Sequence, residues 1–228
     1  MQISLRDISS IFIRRQSKIL KEINSNSFMD KWLARNPSPI SLDTREDLYE
    51  YINDLCCKRA PIDYLEFGVA HGFSLMYWLN LNKNNQSKFY GFDTFEGLPE
   101  PFDRIKHTDP IGEFSNDGEY PKIEDDRVRF VKGLFQDTLQ TFLSTYTPNN
   151  RLIVHNDSDL YSSSLYLLTR LNDFLITGSI IIFDEFFFSS HEFQAFYDYT
   201  ISYRRSYEVL ASSPTEKRRF TQVAIQFL

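Results

Sequence analysis

The feature that most constrains the fold of this chain is a regular alternation of short apolar runs with helical patterns, which begins at residue 61. Five apolar runs have the length of buried strands: Ile62–Phe67, Phe89–Phe92, Val128–Val131, Leu152–His155 and Ser179–Phe183. Apolar residues at helical spacing lie between these runs, as in Leu139, Phe142 and Leu143. Strands that alternate with helices form a parallel sheet with helices on both faces. Two final runs, Tyr207–Leu210 and Gln222–Leu228, complete an α/β fold with a seven-stranded, mostly parallel sheet.

The residues before this alternation predict helices. A helical pattern runs from about Ser17 to Arg35, and Asp43–Glu46 resembles a capping box, in which Glu follows the N-cap residue by three positions. The apolar residues after the box have helical spacing and predict one buried stripe: Leu48, Tyr51, Ile52 and Leu55. We therefore expect residues 1–58 to form a helical segment that packs on a domain of residues 59–228.

Three segments between the strands are also distinctive. Ser189–Glu192 resembles a second capping box and predicts the start of a helix after the fifth strand. Phe186–Phe188 either lines a ligand pocket or packs in the core. Pro101–Asp126 is polar and has no clear period. Because long loops in α/β domains are usually functional or mobile, this loop is a candidate lid.

Charge and cysteine content narrow the kinds of partner and compartment. The formal charge is 25 − 31 = −6, so the chain has no basic surface that would neutralise phosphates, and we expect no nucleic-acid partner. Cys56 and Cys57 are adjacent and cannot form a disulfide framework, which favours a reducing, cytoplasmic location. No apolar run approaches the ~18 residues that a membrane helix requires, so we expect no membrane partner. For Met1–Arg15, a surface helix is favoured over a basic helix that lies on a membrane.

The residues that follow each strand are the candidate site, because ligands of open α/β sheets bind beyond the carboxyl ends of the strands. The first strand ends in Glu66–Gly72, whose two glycines permit a sharp turn and a close approach of the backbone to a ligand. A helix that starts near Phe73 directs its N-terminus at the same place. The second strand ends in Asp93, whose carboxylate suits the hydroxyls of a ribose. Alternatively, the glycines only make a tight turn and Asp93 caps a helix or turn.

The spacing of the glycines distinguishes two kinds of cofactor. A dinucleotide site requires Gly-x-Gly-x-x-Gly, whereas this turn has Gly-x-x-x-Gly after Glu66. S-adenosylmethionine has no phosphate and needs acids that bind its amino group and its ribose. The turn therefore favours S-adenosylmethionine, and a nicotinamide-dependent oxidoreductase is the less favoured alternative.

Acidic residues follow two further strands. Asp157 follows the fourth strand, and Asp184 and Glu185 follow the fifth. If these two strands are neighbours, the three carboxylates converge at one edge of the sheet and repel each other unless a cation lies among them. Oxygen ligands of this kind suit Mg²⁺, Ca²⁺ or Mn²⁺, so the sequence predicts a divalent-cation site. Alternatively, one or two of these acids cap helices and the rest face water.

Five motifs resemble the macrocin O-methyltransferase family, which methylates sugar hydroxyls in macrolide biosynthesis. They extend over about residues 42–228 and are, in chain order, Tyr64–Gly72, Gly91–Glu100, Gly133–Leu139, His155–Tyr161 and Ile182–Glu185. The most specific runs are Phe-Asp-Thr-Phe-Glu-Gly-Leu-Pro and Asp-Ser-Asp-Leu-Tyr. The resemblance implies a Rossmann-like class I methyltransferase fold, S-adenosylmethionine as methyl donor, and a role in natural product biosynthesis.

The resemblance also implies a set of site residues. A divalent cation, Mg²⁺ or another, is expected on Asp157, Asp184 and Glu185. The family carries Asp where this chain has Glu185, and it usually carries an apolar residue where this chain has Asn156. The expected cofactor contacts are Glu66, Gly68, Val69, Ala70, Gly72, Ser74, Asp93, Gly133, Asp137 and Asp157.

The expected reaction is a displacement at the methyl carbon of a sulfonium ion, in which the protein positions the two reactants and makes a hydroxyl nucleophilic. Asp157 is the first candidate base, and His155 or His71 is the second. A bound cation would lower the pKa of the hydroxyl. We expect a small-molecule or sugar acceptor and allow for a homo-oligomer. A relative that binds the cofactor without catalysis is the alternative.

Overall fold

A computed structural model describes residues 24–104, 107–214 and 220–228 of the 228-residue chain. Helix α1 is described over residues 24–35, and its Met29 and Trp32 side chains are buried in the core. The surface helix expected within Met1–Arg15 and the start of the helix expected from Ser17 lie outside the described residues.

The described strands form one large sheet and one small hairpin. The sheet contains β1 (Ile62–Phe67), β2 (Lys88–Asp93), β5 (Val128–Lys132), β6 (Arg151–Asn156), β7 (Ile180–Phe183), β8 (Tyr207–Pro214) and β9 (Phe220–Phe227). The hairpin pairs β3 (Phe102–Asp103) with β4 (Thr108–Asp109) inside the long polar loop. Across the sheet the order is β5-β2-β1-β6-β7-β9-β8, and β9 runs antiparallel to both of its neighbours. The predicted α/β fold with a seven-stranded, mostly parallel sheet is confirmed.

Helices cover both faces of the sheet and create two apolar cores. The remaining helices are α2 (Arg45–Tyr51), α3 (Phe73–Leu81), α4 (Phe135–Thr145), α5 (Tyr161–Leu171) and α6 (Glu192–Ser202). Side chains of α1, α4, α5 and α6 pack against one face of the sheet. Side chains of α2 and α3 pack against the other face. Within the described ranges, no helix has the length and apolar character needed to cross a membrane.

The start of α2 differs from the prediction by one residue. Thr44, rather than Asp43, is the N-cap residue, and its side chain and that of Asp47 form the reciprocal capping box. The predicted stripe is also wrong at its end, because Leu55 is 65% exposed. A π-helical turn over Ile52–Cys56 follows α2, and its wider spacing rotates Leu55 out of the stripe.

The second predicted capping box does not form. Helix α6 begins at Glu192, and its N-cap residue, His191, makes no side-chain capping hydrogen bond. Instead, the Glu192 carboxylate is buried and accepts the backbone N–H of Glu185 at 3.0 Å. The glutamate therefore reaches across to the loop after β7 and not back to Ser189.

Candidate active site

Backbone hydrogen bonds continue from the strands into the loops at one edge of the sheet. The N–H of Gly68 donates to Phe92 O at 3.0 Å, and the N–H of Asp157 donates to Phe67 O at 2.9 Å. The N–H of Asp184 donates to Asn156 O at 3.0 Å. The loops after β1, β6 and β7 therefore leave the sheet side by side, as expected for the carboxyl ends of neighbouring parallel strands.

The loop after β1 depends on glycine at its first position. Gly68 has φ +91°, and a Cβ atom there would lie 1.8 Å from the carbonyl oxygen of Asp157. No side chain fits in that space, so only glycine allows the loops after β1 and β6 to approach this closely. Gly72 has φ 78° and is the N-cap residue of α3.

Asp93 holds this loop from the end of β2. Its Oδ2 atom accepts the backbone N–H groups of Val69 and Ala70, each at 2.7 Å. Its Oδ1 atom accepts the N–H of Phe95 at 2.7 Å. Because each carboxylate oxygen has two lone pairs, Oδ2 is fully used, whereas Oδ1 can still accept one further hydrogen bond. Asp93 thus fixes the backbone and still faces the space beside it.

A cavity of about 260 Å³ opens beyond these strand ends, and we call it the first cavity. Six of the predicted site residues line it: Gly68, Ala70, Asp93, Gly133, Asp157 and Glu185. The other predicted site residues are not part of the described lining: Glu66, Val69, Gly72, Ser74, Asp137, His155, Asp184 and His71. The long polar loop contributes Arg104, Glu113 and Phe114 to the wall.

Glu66 lies beneath the first cavity rather than on its surface. Its carboxylate is fully buried, and it accepts hydrogen bonds from Tyr64 Oη and Ser74 Oγ, each at 2.7 Å. Two neutral donors therefore hold both oxygens, and Glu66 ties the end of β1 to the first turn of α3.

Three side chains converge at the edge of the sheet, where one ligand atom from each lies within 4.8 Å of the others: His155, Asp157 and Asp184. We call them the His155–Asp157–Asp184 group. Two of the three predicted cation ligands belong to it, because β6 and β7 are neighbouring strands as expected. Glu185 lines the first cavity instead and is not a member of this group.

His155 is fully buried between two acids. Its Nδ1 lies 2.9 Å from Tyr64 Oη and 3.6 Å from Glu66 Oε2. Its Nε2 lies 3.3 Å from Tyr49 Oη and 3.6 Å from Asp184 Oδ1. Burial disfavours the charged ring, but Asp184 and Glu66 outweigh it and raise the pKa of His155 to about 10.

The two aspartates of the group have opposite electrostatic environments. Burial opposes the ionisation of Asp184, but His155 and Arg45 outweigh it and lower its pKa. For Asp157, desolvation and the neighbouring Asp184 carboxylate raise the pKa well above its ordinary value. No donor in the described part of the chain hydrogen-bonds to the Asp157 carboxylate, and this half-buried residue lines the first cavity.

Two further carboxyl groups border the first cavity. Burial raises the pKa of Asp159 to about 7, even though Arg104 lowers it. Burial and the nearby charges of Asp159 and Asp184 raise the pKa of Glu185 to about 8. Sequence reasoning missed Asp159 as a site residue, although it belongs to the Asp-Ser-Asp-Leu-Tyr run.

Arg104 is a second residue that sequence reasoning missed. Its Nε lies 2.5 Å from Asp109 Oδ2, and its guanidinium lies over the rings of Phe102 and Phe188 at 4.7 and 5.2 Å. It lines both the first cavity and an adjacent second cavity of about 390 Å³. The second cavity also includes Tyr161, Ser162, Phe187, Phe188, Ser189 and Ser190.

The three consecutive phenylalanines and the second candidate histidine have different locations. Phe186 is buried in the core, whereas Phe187 and Phe188 line the second cavity, so each of the two interpretations holds for part of the run.

His71 is exposed, and its Nδ1 lies 3.0 Å from Asn116 Oδ1, away from both cavities.

Comparison with known proteins places this site in a family. Residues 43–209 match the family described as macrocin-O-methyltransferase (TylF). This match covers more than half of the chain and includes the strand ends that line the first cavity. The chain belongs to the macrocin O-methyltransferase family. The resemblance inferred from its motifs is therefore confirmed.

Relatives in and around the macrocin O-methyltransferase family include both characterised sequences and solved structures. The chain is 27% identical over 173 residues to the 8-demethyl-8-(2,3-dimethoxy-alpha-L-rhamnosyl)-tetracenomycin-C 4'-O-methyltransferase of Streptomyces olivaceus. That match covers 68% of this chain and 64% of the relative, so it spans less than two thirds of the relative's length. CalS11, a calicheamicin methyltransferase, has a similar fold, with TM-score 0.61, 19% identity and coverage of 99% and 94%.

A third protein supports the same fold. An O-methyltransferase from Bacillus cereus in complex with SAH has TM-score 0.55 and 15% identity, with coverage of 91% of this chain and 90% of that one. At this identity the likeness shows the fold, and the predicted class I methyltransferase architecture is confirmed.

One departure from the macrocin O-methyltransferase pattern has a structural explanation. Asn156 stands where the family usually has an apolar residue, and it is fully buried. Its Nδ2 donates to Ser164 Oγ at 3.0 Å, and Ser158 Oγ donates to its Oδ1 at 2.6 Å. Two serines therefore satisfy the amide, and the end of β6 keeps its position.

Proposed function

We propose that this protein transfers a methyl group from S-adenosylmethionine to a hydroxyl of a sugar or other small molecule, assisted by a divalent cation. Membership of the macrocin O-methyltransferase family supports this assignment. The observation that carries it is the carboxylate of Asp157, which has no donor among the described residues and faces a cavity bounded by the glycine loop. A half-buried acid without a donor at the mouth of such a cavity supports a bound ligand.

The residues on the first cavity fit S-adenosylmethionine. Gly68 and Ala70 line the cavity and would contact the methionine end, and the free lone pair of Asp93 Oδ1 would accept a ribose hydroxyl. Gly133 and the adjoining Leu134 lie where the adenine would pack. The SAH complex of the Bacillus cereus protein, which shares the fold, supports the same choice of cofactor.

The edge of the sheet also fits a divalent cation. Asp157 and Asp184 offer carboxylate oxygens close together, and Glu185 lies beside them on the cavity wall. Hard divalent cations prefer such oxygen ligands. When bound, the cation lowers the pKa of an acceptor hydroxyl and orients it.

Asp157 is the proposed base. Its carboxylate lines the first cavity beside the cofactor loop and has no donor among the described residues, so it is placed to accept a proton from a bound hydroxyl. Its carboxylate takes the proton of the acceptor hydroxyl as the oxygen attacks the methyl carbon and the bond from that carbon to sulfur breaks. Residues of the polar loop, including Arg104 and Phe114, cover the cavity and limit the entry of water.

The second cavity provides room for the acceptor. It adjoins the first cavity through Arg104, and aromatic rings and hydroxyl groups line it. Such a lining suits a sugar, which offers hydroxyls at its edge and C–H groups on its faces. The Streptomyces olivaceus relative, named for an acceptor that carries a rhamnosyl group, supports a rhamnoside as the first substrate class to test.

The test is methyl transfer from labelled S-adenosylmethionine to a panel of α-L-rhamnosides, with labelled product and SAH measured by mass spectrometry. We expect transfer to at least one rhamnoside with Mg²⁺ or Mn²⁺ present, and loss of transfer in Asp157→Asn. Binding of S-adenosylmethionine without transfer to any member of a wide hydroxyl panel would instead support a non-catalytic relative.

A further inference from the structure

Arg104 holds an oriented guanidinium group at the junction of the two cavities. It is the only residue that the described linings of both cavities share. Its Nε lies 2.5 Å from Oδ2 of the buried Asp109, and the rings of Phe102 and Phe188 pack against the guanidinium. A salt bridge and two aromatic rings therefore fix the position of the group without a ligand.

The terminal Nη atoms distinguish Arg104 from two other arginines that pack on aromatic rings, Arg127 and Arg205. Arg127 Nη1 donates to Asn82 O at 2.6 Å, and its Nη2 donates to Asp125 Oδ2 at 2.7 Å. Both Nη atoms of Arg205 also donate to protein oxygens. Within the described residues, by contrast, neither Nη atom of Arg104 has a protein acceptor. The N–H groups on these two atoms therefore remain available to a ligand.

The charges around Arg104 favour a neutral ligand over an anionic one. Asp109 compensates the charge of the guanidinium. Arg104 is the only arginine or lysine on the described linings, whereas both cavities carry acids, among them Asp159, Glu185, Glu100 and Asp103. A bound phosphate or carboxylate would lie among these acids, with one compensated cation as its partner. A sugar hydroxyl both accepts and donates, so it suits a place where an arginine lies beside acids.

We propose that Arg104 determines acceptor specificity, because its Nη groups donate to a hydroxyl of a neutral glycoside where the acceptor passes from the second cavity into the first. This inference rests on the proposed function in placing the acceptor across the two cavities. A hydrogen bond from a charged donor is among the stronger ones, and the planar guanidinium adds geometric selectivity. Since the group is already positioned, little side-chain entropy is lost when the acceptor binds.

The test measures acceptor binding without turnover, in the full-length chain with Mg²⁺, both with and without SAH. The neutral probes are α-L-rhamnosides such as the methyl glycoside, and the anionic probe is a nucleoside diphosphate-linked rhamnose. Side-chain ¹⁵N NMR of arginine-labelled protein follows the Nε–H signal of Arg104, which is assigned by its loss in Arg104→Lys. We expect a neutral rhamnoside to shift this signal and to bind with a lower Kd than the anionic probe.

Arg104→Met removes the donors and keeps a long side chain between the two phenylalanine rings. We expect the Kd of the neutral rhamnoside to rise by about 10–100-fold, the size expected for hydrogen bonds from a charged group. The Kd of SAH should stay the same. Arg104→Lys should recover only part of the loss, because it restores the charge without the planar pair of donors.

Arg127→Lys is the matched control. Arg127 also pairs with an aspartate and packs on a phenylalanine ring, but the fold itself uses its Nη groups. This variant should lower the melting temperature and leave rhamnoside binding unchanged, whereas Arg104→Met should show the opposite pattern.

Four outcomes would overturn the proposal. The first two are a rhamnoside Kd that Arg104→Met does not change, and an equal weakening of SAH binding, which would place Arg104 on the cofactor. The others are tighter binding of the anionic probe than of every neutral rhamnoside, and a wild type whose Arg104 signal no neutral rhamnoside shifts.

These outcomes are distinct from failure of the proposed function. Binding of a rhamnoside that depends on Arg104, without methyl transfer, would leave the specificity assignment standing while the reaction falls. Transfer to a rhamnoside with an unchanged acceptor KM in Arg104→Met would do the reverse.

Discussion

Acidic side chains lie at both ends of the central sheet, and the two ends differ in the hydrogen bonds that these acids accept. At the amino end, Asp63 of β1 is fully buried and accepts hydrogen bonds from Tyr146 Oη, Asn149 N and Asn150 Nδ2 at 3.2, 3.0 and 2.8 Å. At the carboxyl end, Asp157 accepts none from the described residues and lies next to Asp184. The first acid is satisfied by the fold itself, whereas the second is the one to which we assign a ligand.

This difference suggests that acids at the amino end stabilise the sheet, whereas acids at the carboxyl end serve the proposed reaction. Native proteins satisfy nearly all buried polar groups, as at Asp63, whereas the half-buried Asp157 has no donor among the described residues. Around Asp157, burial and nearby carboxylates raise the pKa of Asp159 and of Glu185. Substitutions at the two ends should therefore affect different properties of the protein.

The largest expected effect is on catalysis, at the carboxyl end. Asp157→Asn removes the proposed base and one charge of the crowded acid group. We expect methyl transfer to fall by about 1,000-fold, within the usual range for a general base. The melting temperature should stay the same or rise, because repulsion with Asp184 is relieved. Initial rates of SAH formation measure the change in catalysis, and thermal unfolding of the same sample measures the change in stability. A large loss of stability would contradict the contrast drawn between the two ends of the sheet.

At the amino end, we expect a large effect on stability and little effect on the rate of methyl transfer. Asp63→Asn replaces an acceptor-only carboxylate with an amide whose N–H₂ group faces other donors. We expect the free energy of unfolding to fall by about 3 kcal/mol, because buried donors lose their acceptor. Urea unfolding measures this change. The rate of methyl transfer per folded molecule should match the wild type, and a specific loss of rate would mean that the two ends are not independent.

Two glycines with nearly equal φ angles provide a matched pair. Gly68 at the carboxyl end has φ +91° and Gly178 at the amino end has φ +90°, but only at Gly68 would a Cβ meet the backbone of Asp157. Gly178→Ala should cost about 1 kcal/mol of stability, from the backbone conformation alone. Gly68→Ala must also displace the glycine loop, and we expect S-adenosylmethionine affinity or turnover to fall by about 100-fold. Equal behaviour of the two variants would argue against a functional close approach.

The smallest effect concerns a thiol near the amino end. Burial raises the pKa of Cys57 to about 11, despite the nearby charge of Arg151. Because only the thiolate reacts, alkylation of native Cys57 by iodoacetamide should be slow at pH 8 and should accelerate about tenfold per pH unit towards pH 10. The raised pKa also means that its contribution to stability is lost as pH rises from about 9 to 11. Peptide mass spectrometry follows the alkylation, and rapid labelling at pH 8 would show that this end opens.

The sequence predicted the sheet well because the signal there is local. Each strand is an apolar run between turns, so the places of Asp93, Asp157 and Asp184 at the strand ends could be predicted without knowing any contact. Helix boundaries were less predictable. The N-cap residue of α2 is Thr44 and not Asp43. Either residue type can cap a helix, so the sequence alone does not decide between them.

The contacts of His155 with Tyr64, Tyr49 and Glu66 escaped prediction for a different reason. Tyr64 and Tyr49 have the pattern of ordinary core aromatics, and nothing in their local sequence indicates a polar role. Their significance depends on register, because Glu66 pairs with His155 across β1 and β6. Alternation along β1 places Tyr64 and Glu66 on one face, but a single sequence does not specify which residue of the next strand lies opposite.

The most direct test of the central claim is calorimetric titration of S-adenosylmethionine into the wild type and into Asp93→Ala and Asp157→Ala. If the loop after β1 and Asp93 form the cofactor site, the wild type should bind with a micromolar Kd, about −8 kcal/mol. Binding should be lost in Asp93→Ala and retained in Asp157→Ala. A folded wild type that does not bind S-adenosylmethionine, or that prefers a nicotinamide nucleotide, would contradict the assignment.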